Sequence, residues 1–131
     1  MRASSGAPSA SAAQVLFKLA GANMQLTSDQ PFTKLYSGTN YWVTQIIARQ
    51  RTGGASVACA GGIYDAATKG GNAIVAASQI WVTLASGVIV SAALAALANT
   101  TLLSATPILS LTTGSTAACT ADFFICGVDI S

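Results

Sequence analysis

The chain has 131 residues, room for one domain around one core. Only 8% of them are charged, six Lys and Arg against four aspartates, and there is neither histidine nor glutamate. Bases this few and scattered leave no nucleic-acid footprint, which needs clustered Lys and Arg along a phosphate backbone.

Residues 1–13 are Ala, Ser, Gly and Pro apart from Met1 and Arg2. They read as a flexible arm without the apolar block of a secretory signal, and the domain proper as residues 14–131. Within it, 14–19 reads as a strand and 21–23 as a turn. Residues 23–26 and 32–35 read as short strands around Ser28-Asp29-Gln30-Pro31. The strongest strand signal is 41–49, aromatic and β-branched, entered through Ser37-Gly38-Thr39-Asn40. A loop over 50–54, a small-residue strand over 55–64 and a loop over 65–72 follow. Short strands at 73–75, 79–84 and 88–90 flank a turn at Ser86-Gly87. Residues 92–99 read as one helical turn, since Leu94 and Leu97 share helical spacing. Strands at 102–103, 108–112 and 122–130 complete the pattern. The expectation is an all-β fold, an antiparallel β-sandwich or jelly-roll-like barrel of about 8–10 short strands.

No charged residue lies between Lys69 and Asp122. The most apolar part, 88–103, is shorter than the roughly 20 apolar residues of a bilayer span and is interrupted by Ser91, Asn99, Thr100 and Thr101. It reads as a buried segment, with no membrane partner expected.

Side chains alternate between the faces of a strand. Strict alternation over 41–49 sets Trp42, Thr44, Ile46 and Ala48 against Tyr41, Val43, Gln45, Ile47 and Arg49. In the last strand, Phe124, Cys126 and Val128 oppose Phe123 and Ile125. Neither strand shows a plainly wet face, and a chain this short has little material for a further covering layer. A neighbouring subunit is then the expected cover. Tyr41, Val43, Ile47, Arg49, Phe123, Ile125 and, in the arm, Arg2 are the candidate subunit or shell contacts.

Catalytic chemistry has few groups to work with. General acid–base work falls to aspartate alone, and Asp122 and Asp129 sit at an odd offset, on opposite faces of one strand. Asp29 and Asp65 read as turn residues, and Lys18 and Lys69 as solvated. The Lys69-Gly70-Gly71 stretch lacks the longer pattern of a phosphate-binding loop. Cys59, Cys119 and Cys126 match no zinc spacing. They read as small buried hydrophobes or as partners in a bridge formed after leaving a reducing compartment. No enzyme, metal or cofactor is expected. Trp42, Trp81, Tyr36, Tyr41 and Tyr64 read as core or interface residues rather than sugar-stacking platforms.

Three stretches carry a resemblance. They are Tyr41-Trp42-Val43-Thr44-Gln45-Ile46-Ile47, the run from Gly61-Gly62-Ile63-Tyr64-Asp65 to Ala77-Ser78-Gln79, and Ala121-Asp122-Phe123-Phe124-Ile125-Cys126-Gly127-Val128-Asp129. In these the chain resembles small β-rich accessory virion proteins of tailed bacteriophages. That resemblance implies a capsid decoration (cement) protein that stabilises the head shell. Its implied partners are further copies of itself, as a trimer, and the major capsid protein or other virion proteins. It implies a place in the virion, assembled in the bacterial cytoplasm. A tail, collar or fibre component of such a particle is the second reading, and a carbohydrate-binding β-sandwich the third.

Overall fold

The computed structural model of the chain describes residues 14–53, 58–82, 84, 89–95 and 102–131. The arm at 1–13 with Arg2, the start of the strand expected at 55–64, the Ser86-Gly87 turn and residues 96–99 of the expected helical turn lie outside them. Among the described residues there is no helix. The strands are β1 Gln14–Asn23, β2 Gln30–Pro31, β3 Thr33–Lys34, β4 Tyr41–Gly53, β5 Ala60–Ala66, β6 Gly70–Val75, β7 Ile89–Ala92, β8 Ile108–Thr113 and β9 Cys119–Asp129.

They form two antiparallel sheets packed as a sandwich, as the turn spacing predicts. One sheet has the order β3-β1-β9-β4-β7 and the other β2-β8-β5-β6. Only β5 and β6 are both consecutive and paired, so almost every ladder joins segments distant in sequence. The chain changes sheets at Phe32: β2 pairs with β8 and β3 with β1, while the Phe32 ring enters the core.

The core fills from the inward positions of both sheets. Phe123 meets Trp81 edge-on at 5.1 Å and Phe32 at 6.3 Å. A second aromatic group joins Phe17 to Tyr36 at 5.5 Å and to Tyr41 at 4.9 Å. Buried polar atoms need partners. The Trp81 indole N–H donates to Gly61 O at 3.0 Å and the Tyr41 hydroxyl to Ala105 O at 2.7 Å.

Several elements differ from the sequence expectation for local reasons. The strand expected at 23–26 is a turn, because Leu26 N–H donates to Asn23 O and Gln25 N–H to Asn23 Oδ1. Among the described residues, the strand expected at 79–84 is an Ile80–Ala60 bridge, and 102–103 a Leu103–Tyr41 bridge. Lys69, expected at a solvated loop tip, is tied down. Its ammonium donates to Ser110 Oγ at 2.9 Å and to Thr27 O at 3.3 Å. That anchor, with Thr68 N–H donating to Asp29 Oδ2 at 2.8 Å, holds Thr68 and Lys69 at φ of 53° and 59° in the β5–β6 turn. Two consecutive positive-φ residues make the turn that matches the strand twist, although neither is the usual Gly or Asn.

Candidate functional site

The outer face of the five-stranded sheet is built around β9. That strand alternates without interruption, Cys119, Ala121, Phe123, Ile125 and Gly127 inward, Thr120, Asp122, Phe124, Cys126 and Val128 outward. Both its neighbours carry two bulges, at neighbouring levels offset by about one residue along β9. In β1 the register shifts between Val15 and Phe17 and between Leu19 and Ala22. In β4 it shifts between Val43 and Gln45 and between Gln50 and Thr52. An extra residue in a strand reverses the side on which every later residue falls.

That reversal corrects the candidate contact set. Thr44 is the extra residue, so Tyr41 and Val43 point inward before it and Ile46 and Ala48 inward after it. Tyr41, Val43, Phe123 and Ile125 are fully buried in the core of this chain rather than displayed on its outer face. Ile47 remains on the outer face, half-buried, and Arg49 is exposed. Trp42, placed by strict alternation with Ile46 and Ala48, stands outward and 44% exposed. The two-sided apolar character of β9 is real, whereas that of β4 shrinks to Trp42 and Ile47.

The outward residues line up in rows across the sheet. Trp42 pairs with Val128; Val15, Cys126 and Gln45 form the next row; Lys18, Phe124, Ile47 and Ser91 the next. Beyond them, Asp122, Arg49 and Ile89 form a fourth row, and Asn23, Thr120 and Thr52 a fifth, with the two threonine hydroxyls hydrogen-bonded. Trp42, Val128, Val15, Cys126, Phe124 and Ile47 therefore make a continuous apolar band. The Lys18 ammonium lies over the Phe124 ring, 5.5 Å from its centroid. Burial pushes the Cys126 thiol above its ordinary value. At about 3.4 Å per residue and about 4.8 Å between strands, the face measures about 500 Å².

Charge on this face is one-sided. Lys18, Arg49 and Arg51 stand against a single carboxylate, Asp122. Asp122 lies opposite the second bulge of β1, pairs with Arg49 one residue before the second bulge of β4, and is buried. Its Oδ1 accepts the Gly21 N–H at 2.8 Å and lies 3.7 Å from Arg51 Nη1, while Oδ2 lies 3.8 Å from Arg49 Nε. Gly21 adopts φ +65° inside its bulge, a conformation glycine takes without steric penalty. Near the first level the neighbouring strands crowd Gly127, where a Cβ would sit 2.0 Å from Trp42 O and 2.9 Å from Leu16 Cδ1.

The remaining aspartates hold backbone rather than face one another. Asp29 accepts from Thr68, Asp65 from Asn72 N–H at 2.5 Å, and Asp129 from Ser131 N–H at 3.0 Å. Of the aromatics weighed as sugar platforms, Trp81, Tyr36, Tyr41 and Tyr64 are buried, which leaves Trp42. Among the described residues no group of three or more His, Cys, Asp or Glu side chains could hold a metal ion, and no helix is long and apolar enough to cross a membrane. No family model, curated protein or solved structure matches the chain.

Proposed function

We propose that this chain is a structural subunit of a tailed-phage particle, a capsid decoration protein that docks on the shell through the outer face of its five-stranded sheet. The observation that carries the reading is the composition of that face, a continuous apolar band beside three cations and one carboxylate. An apolar band gains from burial, about 25 cal/mol for each Å² removed from water. The excess cations select a partner surface that is itself apolar and acidic, and repel a second identical face. The expected trimer therefore does not form by stacking two such faces. Its copies meet through other surfaces, each reinforcing its neighbours on the shell. Support also comes from the resemblance of the stretches around Trp42, Tyr64 and Phe124 to accessory virion proteins.

Co-sedimentation with phage shells stripped of accessory proteins tests the docking. The double variant Trp42→Ala, Arg49→Glu is expected to bind at least about 10-fold more weakly, since one buried aromatic or one desolvated charge commonly exceeds 1.4 kcal/mol. Because Arg49→Glu sets a second carboxylate beside Asp122, its melting temperature should fall somewhat, and binding is compared at a temperature where both proteins are folded. Raising the salt concentration should weaken the parent protein's binding as well. Unchanged shell binding by a folded double variant would refute the assignment. Binding of the parent to a glycan array, abolished by Trp42→Ala, would instead favour the carbohydrate reading.

A further inference from the structure

We propose that Cys59 and Cys119 are a latent disulfide pair that locks the two sheets together once the protein meets an oxidising medium. This inference is independent of the docking face. Cys119 opens β9 at an inward position of the five-stranded sheet, and Cys59 immediately precedes β5 of the four-stranded sheet. Both are buried in the same core, at 3% and 0% exposure.

Both cysteines border Met24, Cys59 through its thiol and Cys119 through its backbone carbonyl, while the Cys119 thiol donates weakly to Thr120 O across 3.9 Å. The Cys59 thiol donates to Met24 O across 3.7 Å, and Met24 N–H donates to Cys119 O at 3.0 Å. Met24 O also accepts from Ser115 N–H at 2.6 Å, so the peptide between the two cysteines is fixed from several sides. Burial pushes the Cys119 thiol up first, and the closeness of Cys59 adds to it. Ala58, just before Cys59, is held at φ +54°, a conformation that costs a residue with a Cβ about 1–2 kcal/mol. Cys126 is at an odd offset from Cys119 along β9 and faces outward, on the far side of the sheet from the pair.

The chemistry needs an oxidant, here a low-molecular-weight disulfide such as oxidised glutathione. One cysteine thiolate attacks it, forming a mixed disulfide and expelling one small thiolate. The second cysteine thiolate then attacks the protein sulfur of that mixed disulfide and expels the second. Two protein thiols and one small disulfide become one protein disulfide and two small thiols, so sulfur, electrons and protons balance. Because the thiolate is the attacking species, a raised thiol pKa and full burial make the reaction slow at neutral pH and faster in alkali. A phage particle released from its host leaves a reducing cytoplasm for such a medium.

The test is oxidation of the full chain with a glutathione redox buffer, read by intact mass, peptide mapping and thermal melting. Refolding from denaturant in the same buffer runs in parallel and removes access as a factor. The expected result is loss of two hydrogens, a Cys59–Cys119 linked peptide and Cys126 still open to alkylation. The melting temperature should rise by about 10 °C, the size expected for closing so long a loop in a domain of this size. Cys126→Ser should preserve all of this and Cys59→Ser should abolish it. Three titratable thiols in the oxidatively refolded native protein would overturn the proposal. So would a bridge that includes Cys126, or a mixed disulfide that persists on Cys59 or Cys119.

Discussion

Replacing Asp122 is the sharpest probe of how this sheet is held. In Asp122→Ala the Gly21 N–H loses its acceptor at 2.8 Å inside a bulge, and Arg49 and Arg51 lose their counter-charge. A hydrogen bond to a charged group contributes about 1.5–3 kcal/mol. The two ion pairs contribute far less, because the arginine side chains are 60% and 52% exposed and the separations are 3.8 and 3.7 Å. Exposed pairs of this kind contribute about 0–1 kcal/mol each. Asp122→Ala should therefore cost about 2–4 kcal/mol in urea unfolding at neutral pH. Asp122→Asn keeps an acceptor for Gly21 and removes only the charge, so its cost should be about 1 kcal/mol and should shrink in high salt. A small loss for alanine, or equal losses for both variants, would refute the assignment of Asp122 as the residue that pins the β1 bulge at Gly21.

Three further outcomes follow from single contacts. Tyr36 Oη is buried with no hydrogen-bond partner among the described residues, so Tyr36→Phe should leave the melting temperature unchanged or raise it, whereas Tyr41→Phe should cost about 1 kcal/mol by losing the bond to Ala105 O. Gly127→Ala should cost about 3 kcal/mol or more, seen as a large fall in melting temperature or soluble yield, because its Cβ meets the backbone oxygen of Trp42. The Asp29 carboxyl is held below its usual value by the Thr68 N–H, then by Ser110 and Lys69. It therefore stabilises the fold above the unfolded carboxylate value of about 3.9, and that contribution is lost as pH falls through the lower folded value. Between pH 5 and 2, Asp29→Asn should show a shallower fall in melting temperature than the parent; identical slopes would remove Asp29 from the account.

Asp129 is held low in the same way by the Ser131 N–H and hydroxyl, so part of the acid sensitivity should survive in Asp29→Asn. The Lys69 ammonium adds to the Asp29 effect and also fixes Ser110, which ties the β5–β6 turn to β8. These polar links lie at the ends of the sandwich, where the strands give way to turns.

The sequence by itself determined the fold class and the main strands. Dense β-branched and aromatic runs at 41–49 and 122–130, separated by Gly, Ser, Asn and Pro turns, permit little besides a sandwich, and β4 and β9 lie there. It also gave the alternation of β9 correctly, because that strand has no bulge. The tertiary structure alone decided which residues of β4 face the core. Each bulge adds one residue to a two-residue period, and nothing local at Thr44 or Arg51 announces it. The bulges arise where β1 and β4 must fit against β9 between Gly127 and Thr120, contacts between residues roughly seventy to one hundred and ten positions apart. Tyr41 and Val43 therefore went to the core and Trp42 to the surface, since a single inserted residue exchanges inside for outside while leaving the composition of the strand untouched.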